Sequence, residues 1–282
     1  MREPSPCAPA ELPELVSRLD AEFVSGRGRS VSLAARFPAL FDAVNAENIW
    51  TVRNEGRLAA ALVTRPFTWI DGGRSYNAAM IGMVWTEHAQ RGEGLASSLL
   101  EHAARVLQSG TDFAVLWTAQ PDFYARLGWI ACDNASFGET GGSGQARSGE
   151  PVEFECVRGW WEAAAQRVAR GPGWKPPLPL PATSLEVFIA GEAYALAGRL
   201  GDKLYCHEFC GEQADFPLLL ERVRASCKSL YFNERSGSAA YAWLAHAGVA
   251  WQLRPLAMWL PLRDDSCADA ARGWYIPWLD RI

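Results

Sequence analysis

The spacing of apolar residues along the first half of the chain predicts helices at its start and strands after them. Apolar residues recur every three or four positions in two runs between residues 9 and 45, which predicts two helices. Three strand-like runs follow at 49–53, 57–70 and 76–86. Short connections that contain glycine separate these runs, so we expect antiparallel hairpins.

From Gly94 onward the apolar period changes to that of a helix, which ends at Gly110. A buried strand at 113–118, a short helix at 122–127 and a strand at 129–132 complete the first half. The order of elements is therefore β-β-β-α-β-α-β. This order predicts an α/β fold of the α+β type, with helices packed on a mixed sheet.

The same order of elements recurs in the second half, with little residue identity. Strand-like runs at 185–190, 193–199 and 203–209 precede a helix at 216–225, a strand at 229–233, a helix at 239–247 and a long strand run at 250–260. Between the halves, the pattern predicts a glycine-rich surface loop at 137–150, a helix at 160–169 and a stiff proline-rich linker at 171–181.

We therefore predict two related domains in tandem. The N-terminal domain spans residues 1–150, a helix and proline-rich linker span 151–182, and the C-terminal domain spans 183–282. Each domain is expected to contain a mixed, mostly antiparallel sheet flanked by helices.

Composition and charge narrow the class of partner. The formal net charge is −5, from 27 basic and 32 acidic residues, so no overall positive field favours nucleic acid. No apolar run approaches the roughly 18 to 20 residues that would span a bilayer, and the N-terminus lacks the apolar segment of a signal peptide. We expect a cytoplasmic protein without a membrane partner.

The seven cysteines show no disulfide spacing, and we expect most of them to be reduced and buried. One run, Cys206-His207-Glu208-Phe209-Cys210, has metal-ligating residue types. It lies in a strand-like segment and has no second pair of ligands downstream, so we predict no metal site.

The loop that joins the third strand-like run to the following helix carries the candidate chemistry. It reads Val84-Trp85-Thr86-Glu87-His88-Ala89-Gln90-Arg91-Gly92-Glu93-Gly94-Leu95-Ala96-Ser97. Glycines before a helix let backbone N–H groups turn toward a ligand, and the helix N-terminus adds about half a positive charge. Such a loop is able to bind a pyrophosphate, although an isolated Arg-Gly-x-Gly is more often an ordinary turn. Its spacing fits neither a Walker A loop nor a dinucleotide-binding motif.

Two segments together resemble a known family. The pattern Arg-x-x-Gly-x-Gly/Ala, matched by Arg91, Gly94 and Ala96, resembles motif A of the GCN5-related N-acetyltransferases (GNAT). Further along, Phe123-Tyr124-Ala125-Arg126-Leu127-Gly128-Trp129 is similar to the family's aromatic-Tyr-x-x-Leu-Gly-aromatic segment. Both segments lie in the family's order and on the expected elements.

The resemblance implies an acetyl-CoA-dependent N-acetyltransferase. The third and fourth principal strands would splay apart, and the pantetheine arm would pair with backbone groups of Val84, Trp85 and Thr86. The pyrophosphate would be held by backbone groups of Arg91, Gly92, Glu93, Gly94, Leu95, Ala96 and Ser97. Tyr124 is the implied proton donor to the departing thiolate, and a surface role is its alternative. Glu87 is a candidate general base, although residues at a strand end are more often surface groups.

The second half lacks both motifs. At the matching strand-to-helix junction it reads Cys210-Gly211-Glu212-Gln213-Ala214-Asp215-Phe216-Pro217, and Leu244 stands where Tyr124 stands in the first half. Carboxylates and a proline do not suit a phosphate loop. We therefore expect a degenerate GNAT-like C-terminal domain, in an arrangement similar to the tandem bacterial acetyltransferases of the enhanced-intracellular-survival type.

The expected partners are acetyl-CoA and a small amine-bearing acceptor. The acceptor stays open among antibiotics and polyamines, amino acids and protein lysines, and so do the acyl chain length and the oligomeric state. The alternative function is a non-catalytic acyl-CoA-binding sensor or scaffold, which would need the loop and not Tyr124.

Overall fold

Two β-sheets form the centre of the structure, and the chain crosses between them. The computed structural model describes residues 3–144, 157–171, 174–263 and 271–282. The strands are β1 (Ser5–Pro6), β2 (Ile49–Asn54), β3 (Arg57–Asp71), β4 (Arg74–Thr86), β5 (Phe113–Trp117), β6 (Ile130–Ala131), β7 (Ala135–Gly141), β8 (Gln166–Val168), β9 (Ser184–Ala190), β10 (Ala193–Leu200), β11 (Lys203–Gly211), β12 (Ser229–Arg235), β13 (Ala250–Leu253) and β14 (Ala257–Pro261). The α-helices are α1 (Leu12–Phe23), α2 (Leu33–Arg36), α3 (Leu95–Leu107), α4 (Pro121–Ala125), α5 (Arg158–Glu162), α6 (Phe216–Ala225) and α7 (Ala239–His246).

The first sheet has eight strands in the order β1-β2-β3-β4-β5-β14-β6, with β8 paired to β3. The strands β2, β3 and β4 are antiparallel neighbours, as the short glycine-bearing connections predict. The strand β5 is parallel to β4, because the chain returns through α3 before it enters β5.

The second sheet has six strands in the order β13-β7-β12-β11-β10-β9. Its strands β9, β10 and β11 are antiparallel, and β12 is parallel to β11 after a crossover through α6. Both sheets therefore contain three antiparallel strands followed by a parallel crossover. The predicted fold class, two tandem units with mixed sheets, is confirmed.

Each sheet contains a strand from the other half of the chain. The strand β14 pairs with β5, with Ala257 opposite Trp117, and β7 pairs with β12, with Gly141 opposite Ser229. The segment 1–150 thus includes a strand of the second sheet, and the segment 183–282 includes a strand of the first. Neither sheet has its full set of strands without the other half.

Two predicted elements that include β7 and β14 are wrong. The loop predicted at 137–150 begins instead as β7, which lies between two strands of the second sheet, while residues 145–150 fall outside the described residues. The long strand predicted at 250–260 is two strands in different sheets, β13 and β14. The apolar run is long because its first part forms β13 in the second sheet and its last part forms β14 in the first sheet.

The helix predicted at 160–169 is also wrong. The helix α5 ends at Glu162, and β8 then pairs with the end of β3. The amide of Gly72 donates to the carbonyl of Ala165 at 3.0 Å, and that of Ala169 to the carbonyl of Thr68 at 2.8 Å. These sheet hydrogen bonds replace the helical ones at this edge.

The second predicted helix of the N-terminal region is much shorter than expected. The helix α2 spans four residues, and 3₁₀ helices at Pro38–Leu40 and Ala43–Asn48 follow it. Pro38 disfavours a helical conformation at Phe37, whose φ is −128° and ψ 62°. Val44, near the end of the segment predicted to be helical, is 85% exposed.

A core rich in aromatic residues joins the two sheets. It includes Trp69 and Phe113 from the first sheet, Tyr194 from the second, and Trp274 from the C-terminal segment 271–282. Separate apolar clusters hold α1 and α3 against the first sheet and α6 against the second. Every helix in the described part of the chain is too short or too polar to cross a bilayer.

Candidate active site

The parallel strands β4 and β5 separate partway along their length. They are paired only from Ala78 to Met80 and from Phe113 to Val115, although both strands continue in the same direction beyond these residues. A cleft therefore opens between the end of β4 and the end of β5. Along this stretch the edge of β4 is not used by β5, so backbone donors and acceptors face the cleft.

A β-bulge lies in β4 beside this cleft. The register of β3 and β4 pairs Val63 with Gly82 and Ala61 with Trp85, so Met83 and Val84 together lie opposite Leu62. Met83 has a φ of +52°, which is uncommon for a residue with a side chain. The bulge changes the direction of the last residues of β4.

The three predicted residues at the end of β4 have different side-chain environments. The indole of Trp85 is 6% exposed and packs in the cluster with α1, while Val84 packs against the cluster on the opposite side with α3. Thr86 is half-buried. Only backbone groups of Trp85 are therefore suited to contact a ligand in the cleft.

The loop after β4 has an open surface. Gly92 and Gly94 have φ values of +86° and +78°, and no neighbouring atom lies within 4 Å of the position that a Cβ would take at either residue. The helix α3 begins at Leu95, and the amide of Ser98 donates to the carbonyl of Gly94 at 3.0 Å. The earlier amides, those of Leu95, Ala96 and Ser97, are the N–H groups that a helix leaves without intrahelical acceptors at its start.

The side chain of Arg91 is held by the preceding strand and by the first helix. The Nε of Arg91 donates to the carbonyl of Thr86 at 3.2 Å, and its Nη2 lies 2.9 Å from Oε2 of Glu22 on α1. These contacts fix the loop against both the strand and the first helix. Glu93 is exposed, and Leu95 is buried in the cluster under α3.

Glu87 is engaged at both carboxylate oxygens. Its Oε1 accepts the amide of His88 at 2.9 Å and caps the 3₁₀ turn that follows, and its Oε2 accepts Nη1 of Arg18 at 3.2 Å. Glu87 therefore stands at the strand end, as predicted, within a charge pair and a capping contact.

Tyr124 lies on the short helix α4, close to the apolar cluster that also contains Leu95 and Val84. Its ring makes edge contacts with Phe123 and Trp129, at centroid distances of 4.9 and 6.2 Å. Burial raises the pKa of the Tyr124 phenol, and a hydrogen bond with the Thr118 side chain opposes this only in part. The hydroxyl therefore stays protonated at neutral pH.

Sequence reasoning did not find the contribution of the C-terminal segment to this cleft. The carbonyl oxygen of Ile282 lies 3.0 Å from the position that a Cβ on Gly82 would occupy, and Cγ1 of Ile282 lies 3.1 Å from it. The guanidinium of Arg281 lies over the ring of Trp117, 4.9 Å from its centroid. No short-range pattern could have shown these contacts, because they join residues that lie far apart in the sequence, on β4 and β5 and in the C-terminal segment.

The corresponding junction of the second sheet is closed. The carboxylate of Asp215 accepts the amide of Glu192 at 2.8 Å, directly before α6 begins. Gly211 has a φ of +118°, and a Cβ there would lie 2.2 Å from the carbonyl oxygen of Glu192. The backbone is packed where the first half has an open loop.

The described residues contain no group of three or more His, Cys, Asp or Glu that could hold a metal ion. Cys206 and Cys210 lie on β11 but pack in different cores, Cys206 under α6 and Cys210 against the core between the sheets. They therefore face opposite sides of the sheet. Cys7, Cys132, Cys206, Cys210 and Cys227 are free thiols.

Comparison with known proteins gives the family of the first half. Residues 25–132 match the acetyltransferase (GNAT) domain family. No match was found among curated proteins. This segment of the chain belongs to the GNAT acetyltransferase superfamily, in agreement with the resemblance of its two motifs.

Solved structures share the fold over most of the chain at low sequence identity. A conserved protein from Enterococcus faecalis V583, described as a probable N-acyltransferase, is 14% identical with a TM-score of 0.73, over 93% of this chain and 73% of that one. A GCN5-related N-acetyltransferase from Kribbella flavida is 15% identical with a TM-score of 0.70, over 98% and 74%. Eis1 from Mycobacterium abscessus is 15% identical with a TM-score of 0.57, over 80% and 67%. These similarities extend across both halves of the chain.

Proposed function

We propose that the protein is an acetyl-CoA-dependent N-acetyltransferase that transfers an acetyl group to a primary amine by direct attack on the thioester. The observation that carries the proposal is the open cleft between β4 and β5 together with the glycine loop at its end. A strand edge and a helix N-terminus together provide hydrogen-bond donors and acceptors for an extended arm that carries phosphates.

The loop is assigned to the pyrophosphate. Positive φ values at Gly92 and Gly94 and the free space beside both residues let backbone amides face a ligand. Backbone groups of Val84, Trp85 and Thr86 are assigned to the pantetheine arm. In this assignment Arg91 holds the loop through Glu22 and Thr86 and adds positive charge nearby.

Tyr124 is assigned as the proton donor to the thiolate. When the amine attacks the thioester carbonyl, the C–N bond forms, the C–S bond breaks, and the departing sulfur takes a proton from the donor. A phenol whose pKa is raised by burial stays protonated until it is needed. Backbone N–H groups at the end of β4 would polarise the carbonyl.

Glu87 is retained as the candidate base that receives the proton of the amine. Its ion pair with Arg18 would have to open or rearrange for this role, because both carboxylate oxygens are already engaged. Substitution of Glu87 by Gln should then lower turnover at neutral pH more than at a pH where the amine is already neutral.

Release of free coenzyme A from acetyl-CoA, measured with a panel of primary amines, tests the proposed activity. The panel should include a polyamine, an aminoglycoside, free amino acids and a lysine peptide. Amine-dependent thiol release that saturates with both substrates is the expected result. Tight binding of acetyl-CoA without thiol release for any amine would favour the sensor function instead.

A further inference from the structure

The second sheet contains its own cleft between parallel strands. The strands β11 and β12 are paired from Lys203 to Cys206 and from Ser229 to Phe232, and both continue beyond the last pair. The register of β10 and β11 also shifts at this point, so β11 has a bulge where β4 has one. The geometry that opens the first cleft is thus repeated in the second sheet.

This second cleft encloses a cavity of about 280 Å³. One strand contributes His207, Glu208 and Cys210, and the other contributes Glu234 and Arg235. All five residues lie in the parts of β11 and β12 that follow their last mutual pair. Such a volume suits a small organic molecule rather than coenzyme A.

Part of the wall is apolar and aromatic. Trp161, Ala164 and Ala165 from the segment around α5 line it, and Tyr275 and Pro277 from the C-terminal segment complete it. A flat apolar group of a ligand can pack against this wall.

The polar wall contains a buried hydrogen-bond acceptor on the ring of His207. The ring of His207 is 3% exposed, and its Nδ1 lies 2.9 Å from Oδ1 of Asn233, which assigns the proton to Nδ1. The other ring nitrogen, Nε2, has no hydrogen-bond partner among the described residues. Burial lowers the pKa of His207 to about 3, so Nε2 is an acceptor at neutral pH.

The charged side chains of the cavity differ in their hydrogen-bond and ion-pair partners. Glu208 accepts hydrogen bonds from Arg170 and from the hydroxyl of Tyr194, and Arg235 donates to Oε1 of Gln166 at 2.8 Å. Glu234 lies opposite β11 and is held by the Arg235 amide at 2.7 Å and by the Ser238 hydroxyl. No cation of the described residues forms an ion pair with the Glu234 carboxylate within 4 Å.

From these contacts we infer that the cleft between β11 and β12 binds a small primary or secondary amine in its cationic form, with the ammonium on Glu234 and an apolar group against Trp161 and Tyr275. The strand-to-helix junction of the second sheet is closed by Asp215 and does not suit a phosphate. The cavity between β11 and β12 is nevertheless present. The site lies in the second sheet and does not depend on the proposed acyl transfer.

Binding should depend on pH in a defined direction. Burial raises the pKa of Glu234 to about 7. An ammonium ligand prefers the carboxylate, so its affinity should increase from pH 6 to pH 8. The titratable and charged groups around Glu234 are Arg235 on its own strand, Glu208, Cys206 and Cys210 on β11, and Tyr275 on the C-terminal segment.

A ligand-observed NMR titration of the full chain with 2-phenylethylamine tests the inference. The expected dissociation constant is on the order of 1 mM for so small a ligand. The neutral analogue 2-phenylethanol should bind at least ten times more weakly, and saturating coenzyme A should not displace the amine. Equal affinity for the alcohol, or displacement by coenzyme A, would overturn the assignment.

Two variants and a matched control locate the site. Glu234→Gln should weaken binding of 2-phenylethylamine at least tenfold, whereas Glu221→Gln, on the exposed side of α6, should leave it unchanged. If Glu234→Gln does not fold, Ala165→Leu replaces it, since the larger side chain fills the cavity from its exposed rim. Unaltered binding in a folded Glu234→Gln or Ala165→Leu protein would contradict the inference.

Discussion

Arg170 and Asp280 form a two-point ion pair in which both side chains are fully buried. The Nε of Arg170 lies 3.0 Å from Oδ1 of Asp280, and Nη2 lies 2.8 Å from Oδ2. Burial disfavours the charge on Arg170, but the carboxylates of Asp280 and Glu208 more than offset this and raise its pKa. The pair ties the C-terminal segment to both sheets, since Arg170 follows β8 and Glu208 lies on β11.

Replacement of Asp280 by Asn should destabilise the protein by about 3 kcal/mol, because it leaves a buried guanidinium with one carboxylate partner instead of two. Urea unfolding measures this change. The control is Asp202→Asn, which removes an exposed pair with Lys228 and should leave the midpoint nearly unchanged. Equal stability of the two variants would show that the buried pair does not hold the segment.

Replacement of Tyr124 by Phe should lower kcat by about 10- to 1000-fold and leave the KM for acetyl-CoA nearly unchanged, because only the proton donor is lost. Steady-state kinetics with the best amine measure both constants. Tyr241→Phe, on α7 in the other half, is the matched control and should behave as the wild type. Turnover that is insensitive to loss of the Tyr124 hydroxyl would remove this residue from the mechanism.

His207 should make the protein less stable as the pH falls. Its native pKa of about 3 lies below the value near 6.5 of an unfolded histidine, so the unfolded chain binds the proton first. Between pH 6.5 and 5 this costs about 1.5 kcal/mol of unfolding free energy.

Denaturant unfolding at the two pH values, for the wild type and His207→Gln, measures this contribution. The variant should lose less stability on acidification, and His246→Gln, at the end of α7, should match the wild type. Glu234, whose pKa is raised to about 7, acts in the opposite direction, but it is present in all three proteins. An identical pH dependence for His207→Gln and the wild type would show that this histidine is not buried in its neutral form.

Local patterns predicted most strands and the main helices. The bounds of α3 and α6 follow from an apolar face of period 3.6 and from glycine or proline at their ends, and those of β3 and β4 from the short turn between them. These signals lie within a few residues of each other. The glycine loop from Arg91 to Ser97 is also predicted from residues that lie close together in the sequence.

The wrongly predicted segments at 137–150 and 250–260 contain strands that pair with the other half of the chain. Gly138 of β7 is approached closely by Val249 and Trp251 of the second half, and a Cβ on Gly138 would lie 2.6 Å from Cγ1 of Val249. Read alone, such glycines indicate a loop. The contact of Ile282 with Gly82, like the pairing of β14 with β5, depends on tertiary packing and leaves no periodic signal.

A calorimetric titration with coenzyme A tests the central claim, that the loop from Arg91 to Ser97 is the cofactor site, most directly. We expect one site per chain in the wild type and at least tenfold weaker binding in Gly94→Ala, whose methyl group would enter the open space beside the loop. Gly72→Ala, at another glycine with positive φ and open surroundings, should bind as the wild type does. Absence of coenzyme A binding in the wild type, or equal affinity of Gly94→Ala and Gly72→Ala, would contradict it.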